Sequence, residues 1–105
     1  MRIRKETDEM PESEVMLMAK ISDALAHPAR IKIFRYIMNC NKKIIPVCNK
    51  GIVDEFDYAQ ATISQHMKTL VKSGLVDVRK EEKFSYYFVN IGMLMKYLDA
   101  TKRFE

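Results

Sequence analysis

ATISQHMKTLVKSGLV, residues 61–76, is the stretch on which the reading of this chain turns. Ile63, Met67, Leu70 and Val71 recur at i, i+4, i+7 and i+8, so a helix here gathers them into one apolar stripe. Around the same helix Ala61, Thr62, Gln65, Lys68, Thr69 and Lys72 point the other way. That outer face is small, polar and cationic, and it holds no carboxylate. Small residues allow close approach to a surface, a glutamine amide can pair with a base edge, and lysines reach phosphate oxygens. Gly74 falls where a helix C-cap is wanted. Beyond it, Leu75–Lys80 and Phe84–Val89 read as two strands linked by Glu81-Glu82-Lys83, with Tyr86-Tyr87 in the second.

A reading helix followed at once by a β-hairpin is the layout of a winged helix-turn-helix. The rest of the chain supplies what that layout needs. Ser13 is placed to cap a first helix whose inner face is Val15, Leu17, Met18, Ile21, Ser22 and Leu25. Pro28 suits the first position of a second helix, with Ile31, Phe34, Ile37 and Met38 facing inward. Residues 39–51 read as irregular, broken by Pro46 and Gly51. A short helix over Ile52–Phe56 and a turn at Asp57-Tyr58-Ala59 then lead into the reading helix, and a last helix spans about Ile91 to Lys102. The expected fold is mainly α, with five helices and a two-stranded wing. Residues 1–12 are expected to be a flexible arm and residues 13–105 one DNA-binding and dimerisation domain.

A chain of 105 residues makes one domain, small enough that burial against a second copy would help it. No apolar run approaches the ~20 residues of a membrane span. The N-terminus, Met1-Arg2-Ile3-Arg4-Lys5, leads into acids rather than an apolar segment, so it is not a signal peptide. Two cysteines in such a chain argue against a disulfide framework, and a cytoplasmic location is expected. The net charge is +4, but its placement matters more. Residues 27–50 carry Arg30, Lys32, Arg35, Lys42, Lys43 and Lys50 with no acid, whereas residues 51–59 carry Asp54, Glu55 and Asp57 with no base. A basic segment of that kind is an electrostatic footprint for phosphates, or simply a solvated face. No Ser-His-Asp set, paired carboxylates or Gly-rich phosphate loop is present, so an enzyme is not expected.

At this point the chain resembles the ArsR/SmtB transcriptional repressors. The likeness runs through Ile21-Ser22-Asp23-Ala24-Leu25-Ala26-His27-Pro28-Ala29-Arg30-Ile31 and Thr62-Ile63-Ser64-Gln65-His66-Met67-Lys68-Thr69-Leu70. It closes with Gly74-Leu75-Val76 and Tyr86-Tyr87, and is interrupted at residues 39–51. The resemblance implies a homodimeric repressor on double-stranded DNA, paired through its first and last helices and released by a metal ion or another small signal. The surplus of Met16, Met18, Met93, Met95, Leu94 and Leu98 on those two helices fits such an interface, or else fills an irregular core.

Three departures from the family's pattern bear on function. Ala59 stands where the family usually offers a capping Ser, leaving Gln60 or Asp57 as substitutes. Glu81-Glu82 stands at the wing tip, where a Gly and more cations are usual. Metal-responding relatives place paired cysteines before the third helix, or Asp and His on the last. Here Cys48 is followed two residues on by Lys50, and IGMLMKYLDATKRFE (91–105) has neither His nor Cys. Two thiolates alone make a poor tetrahedral zinc site, so no metal and no cofactor is expected. Cys40 and Cys48 are either buried structural thiols or a thiol sensor. His27 is expected to complete a helix cap, and His66 to wedge against the wing or reach a phosphate. The expected DNA-binding residues are Gln60, Thr62, Ser64, Gln65 and Lys68, with Arg79, Lys80 and Lys83 from the wing. The alternative is a winged-helix module that binds protein through the same face.

Overall fold

The computed structural model describes residues 10–105. The arm expected over residues 1–12 therefore lies, for residues 1–9, outside the described residues. The chain runs α1 (Glu12–Ala24), α2 (Pro28–Lys42), α3 (Asn49–Phe56), α4 (Gln60–Ser73), β1 (Val76–Glu81), β2 (Phe84–Val89) and α5 (Ile91–Thr101), then a 3₁₀ turn over Lys102–Phe104. This is the winged helix-turn-helix expected from the sequence: five helices and one antiparallel hairpin. The core is built largely of branched aliphatics. Ile21, Ile33, Ile37, Ile52, Ile63, Leu70 and Leu75 are all fully buried, each stabilising the fold by about 1.5–3 kcal/mol relative to exposure.

Several boundaries differ from expectation, for identifiable reasons. α1 starts at Glu12 behind an extended Pro11, so Ser13 lies within the first turn and caps nothing. On α2 it is Ile33, not Ile31, that enters the core; Ile31 is exposed. The period was placed two residues off because Ile31 and Ile33 are equally apolar. α2 continues to Lys42 and α3 begins at Asn49, so the irregular stretch shrinks to residues 43–48. The wing turn is the two residues Glu82-Lys83, not three, because Glu81 pairs with Phe84. Leu75 stays outside β1, and its carbonyl accepts the Asn90 N–H at 2.8 Å.

The caps show how local chemistry sets these limits. Pro28 opens α2, where the His27 Nδ1 accepts the Ala29 N–H at 3.1 Å. The Asn90 side chain accepts the Met93 N–H at 3.0 Å and starts α5. α4 ends at Gly74 with φ 92, and Ser73 bridges the exit by donating to the Leu70 carbonyl and accepting the Leu75 N–H. α4 begins without any side-chain cap at Ala59. Neither proposed substitute serves, since Asp57 is itself the left-handed C-cap of α3.

The loop after α2 is fastened to the wing. The Val47 carbonyl accepts the Tyr87 N–H at 2.9 Å. The Asn41 side chain accepts the Val89 N–H at 2.8 Å and donates to the Tyr87 carbonyl at 3.4 Å. α2 closes with paired bonds from the Ile45 N–H to Cys40 and from the Ile44 N–H to Asn41, at 2.9 and 3.1 Å. That is a Schellman motif, whose left-handed position usually holds glycine. Here it holds Ile44, with φ 58 and a side chain 90% exposed. A β-branched residue in that region costs roughly 1–2 kcal/mol. Ile44→Gly should therefore raise unfolding stability by about 0.5–1 kcal/mol in urea titration, after the entropy cost of glycine. Ile44→Ala, which keeps a Cβ, should gain much less; an equal gain from both would show that the strain is absent.

Candidate nucleic-acid interface

α3 and α4 pack as the two helices of the helix-turn-helix, with the turn at Asp57-Tyr58-Ala59 between them. The stripe read from sequence is buried: Ile63, Met67 and Leu70 are within the core and Val71 is half-buried. Burying that face fixes the opposite one. Gln60, Ala61, Thr62, Ser64, Gln65, Lys68 and Lys72 are all exposed. Thr69 turns its hydroxyl back to the Gln65 carbonyl at 3.2 Å. The α4 part of the expected site is thus one continuous, carboxylate-free surface.

The wing does not gather its cations in the same way. β1 alternates faces, so Arg79 shares a face with Asp77 and Glu81 while Lys80 points to the other. The Arg79 guanidinium lies 4.5 Å over the Phe88 ring, and the Lys83 ammonium lies 5.9 Å from the Phe84 ring centre. Arg79, Lys80 and Lys83 are therefore brought together only at the turn end of the hairpin, beside Glu81 and Glu82.

Two residues not singled out from sequence tie wing to reading helix. The Tyr87 hydroxyl donates to Asn49 Oδ1 at 2.9 Å, and Asn49 Nδ2 reaches Ser64 Oγ at 3.5 Å. Asn49 and Asn41 both lie in or beside the stretch taken for an irregular loop, where no periodicity marks a residue as a partner. Burial, with Cys48 nearby, pushes the Tyr87 phenol up from its ordinary value, so it remains a donor.

His27 caps α2 as expected, whereas His66 and Arg30 behave otherwise than expected. His66 is buried and packs against the start of α2, not against the wing. Its ring sits 4.8 Å from that of His27, and its Nδ1 lies 3.4 Å from an Arg30 Nη1. Arg30 also donates from Nε to the Ala24 carbonyl at 2.7 Å and from Nη2 to that of Asp23 at 3.4 Å. It satisfies the open end of α1 and so drops out of the basic footprint, which leaves Lys32, Arg35, Lys42, Lys43 and Lys50 exposed. Burial, then the neighbouring His27 and Arg30, hold the His66 pKa below its ordinary value.

Cys40 is buried in the core and Cys48 is half-buried at the N-cap of α3, both as free thiols. Tyr36 lies beside them. Its burial, and the Cys40 thiol against its hydroxyl, push the phenol up to about 12. Both thiols thus lie near tyrosine hydroxyls. Among the described residues no group of three or more His, Cys, Asp or Glu is placed to hold a metal ion. Among the described residues no helix is long and apolar enough to cross a membrane.

A buried-stripe reading helix, its partner helix and a β-hairpin wing make up the DNA-binding fold of a transcriptional regulator. The profile of the family described as "Bacterial regulatory protein, arsR family" matches residues 27–78, and the chain belongs to that family. It is 32% identical over 71 residues to an uncharacterized HTH-type transcriptional regulator of Methanocaldococcus jannaschii, covering 68% of this chain and 75% of the relative. It is 30% identical to an arsenical resistance operon repressor of Staphylococcus xylosus over 73 residues, 70% of this chain and 65% of that one. Among solved structures, an ArsR-like transcriptional regulator from Rhodococcus superposes with a TM-score of 0.75 at 17% identity, over 88% of this chain and 82% of the other. A homodimeric winged helix-turn-helix DNA-binding domain from Mycobacterium bovis gives 0.68 at 19% identity, over 96% and 84%.

The depressed pKa of His66 gives a stability prediction with a definite sign. Below its unfolded value of about 6.5 the unfolded chain takes up a proton at residue 66 that the folded chain refuses, so stability falls with pH in that window. Thermal unfolding of the native chain should lose more between about pH 7.5 and 5.5 than that of His66→Asn. Parallel pH curves for the two proteins would exclude His66 as the cause.

Proposed function

We propose that this chain is a homodimeric repressor that lays α4 of each subunit in successive major grooves of an inverted-repeat operator. The observation that carries this is the carboxylate-free outer face of α4, held in place by the buried Ile63, Met67 and Leu70 of its inner stripe. Gln65, opposite that stripe, projects furthest and pairs with adenine N6 and N7, as a glutamine amide can. Gln60, Thr62 and Ser64 make the flanking polar contacts. Lys68 and the exposed Lys42, Lys43 and Lys50 neutralise phosphates. Arg79, Lys80 and Lys83 add wing contacts weakened by Glu81 and Glu82.

The dimer is supported by what α1 and α5 leave uncovered. Met16 is 61% exposed and Met95 52%, and Val15, Ile91, Leu98 and Phe104 are also exposed. Met18, by contrast, is in the core of its own subunit. The similar Mycobacterium bovis domain is described as homodimeric. Repression follows the similarity to an arsenical resistance operon repressor. The signal that releases the DNA is assigned to the thiols Cys40 and Cys48, since the last helix has neither His nor Cys; Cys48, the more accessible, reacts first.

Light scattering should give twice the 12.3 kDa of the chain, and Met95→Glu should halve it without unfolding the protein. A native species of 12 kDa would remove the dimer. On DNA, Gln65→Ala should cost ~1–3 kcal/mol per subunit on the preferred site and relax one position of each half-site. Lys68→Ala should weaken all duplexes alike and lower the salt slope by ~1. If the two variants are indistinguishable across a panel of sequences, the readout assignment is wrong. Failure of any duplex to bind at low salt would favour the acidic wing as a protein contact instead. Cys48→Ser should abolish release by arsenite or peroxide while leaving the affinity of the untreated protein unchanged.

A further inference from the structure

A cleft of about 340 Å³ opens between the loop after α2 and the outer face of the wing. Ile44, Ile45 and Pro46 form one wall; Tyr86 and Phe88 form the other, with Asn41 at the base and Glu81 at the turn end. Tyr86 and Phe88 lie two residues apart on one strand, so their rings share a face, and Glu81 lies on that face too. We infer that this cleft is a binding site for a small lipophilic cation, an arylalkyl amine or ammonium, whose apolar body sits between the walls and whose charge meets Glu81.

Four observations carry the inference. Ile44 is held in the left-handed region, although a β-branched side chain resists it, and it presents that side chain almost wholly to solvent at the lip of the cleft. Strain retained at an exposed apolar residue points to use rather than to packing. The size is that of a small-molecule pocket. Seven lining residues are too few for a protein partner, which needs roughly 20–30 a side. The only charged group in the lining is the Glu81 carboxylate, and among the described residues no ion pair engages it. Finally, the wing's aromatic face is one on which a cation rests, since the Arg79 guanidinium lies 4.5 Å over Phe88.

Occupancy has a route to the reading helix. Asn41, in the cleft, bonds the backbone of β2 on both sides of Phe88. From the same strand the Tyr87 hydroxyl reaches Asn49, which reaches Ser64 on α4. A ligand that separates loop from wing, and neutralises Glu81 beside the wing's cations, therefore alters how the wing meets DNA and so changes operator affinity. This regulatory step rests on the DNA-binding function proposed above; the binding site itself does not.

The test uses the full chain without DNA, titrated separately with phenylpropylamine, phenylpropanol and phenylpropionate and followed by NMR amide shifts. The amine should bind at least tenfold more tightly than the alcohol and the acid least, with shifts centred on Ile44, Ile45, Tyr86 and Phe88. Glu81→Gln should bring the amine to the level of the alcohol, and Tyr86→Ala should weaken all three. Equal affinity for amine and acid, an unchanged amine affinity in Glu81→Gln, or shifts centred on α1 and α5 would each overturn the site. A second arm measures duplex binding with the amine at saturation. A changed duplex affinity in the native chain, and a smaller change in Glu81→Gln at the same amine concentration, is expected. Amine binding with duplex affinity unaltered would overturn the regulatory step, and no duplex binding even without amine would overturn the DNA-binding reading alone.

Discussion

The packing of Ile63, Met67 and Leu70 into the core is the constraint on which everything else rests. A helix that must bury one face completely has no rotational freedom left, and its other face is fixed to within a fraction of a turn. Truncating one of these side chains would cost about 2–5 kcal/mol in stability. It would also let the exposed residues swing relative to the wing. Stability and aim are one quantity in α4. The absence of a side-chain cap at Ala59 is tolerable for this reason, because a cap contributes only ~1 kcal/mol beside what the stripe contributes.

Polar contacts then place the surrounding parts against that helix. Arg30 closes the end of α1 and meets His66 in the middle of α4, so one side chain links three helices. Asn41 and Asn49 do the corresponding work on the wing side, joining loop, strand and helix start. Such groups are costly to bury and become specific once satisfied. Among the described residues no buried side-chain nitrogen or oxygen lacks a partner.

The amphipathic pattern of α4, the Gly74 stop and the strand alternation after it were legible in the sequence, because each is a local rule acting on adjacent residues. The left-handed turn at Ile44 was not, since nothing in Asn41-Lys42-Lys43-Ile44-Ile45 signals that a helix continues and then closes on an isoleucine. Ile31 was read as core in place of Ile33 because composition cannot separate two isoleucines two residues apart. His66 was placed near the wing and lies against α2, a matter of which long-range neighbour fills a half-turn of helix surface. Of the proposed DNA contacts, those on α4 follow from periodicity. For the wing, strand alternation could have shown that Arg79 and Lys80 diverge.

Gly74 lies at the seam between the α4 half of the fold and the α5 half. Its φ of 92 excludes a side chain on conformational grounds, and a Cβ there would stand 3.2 Å from Met93 Cε of α5. Two independent prohibitions thus coincide at one residue. At the wing tip, by comparison, Glu82 at φ 58 meets only the first. Change in such a chain is consequently channelled: the hairpin end can be recharged or lengthened with little effect elsewhere, while the exit of α4 admits neither substitution nor insertion. Divergence in what a lineage of these proteins recognises should accumulate at the former and leave the latter untouched.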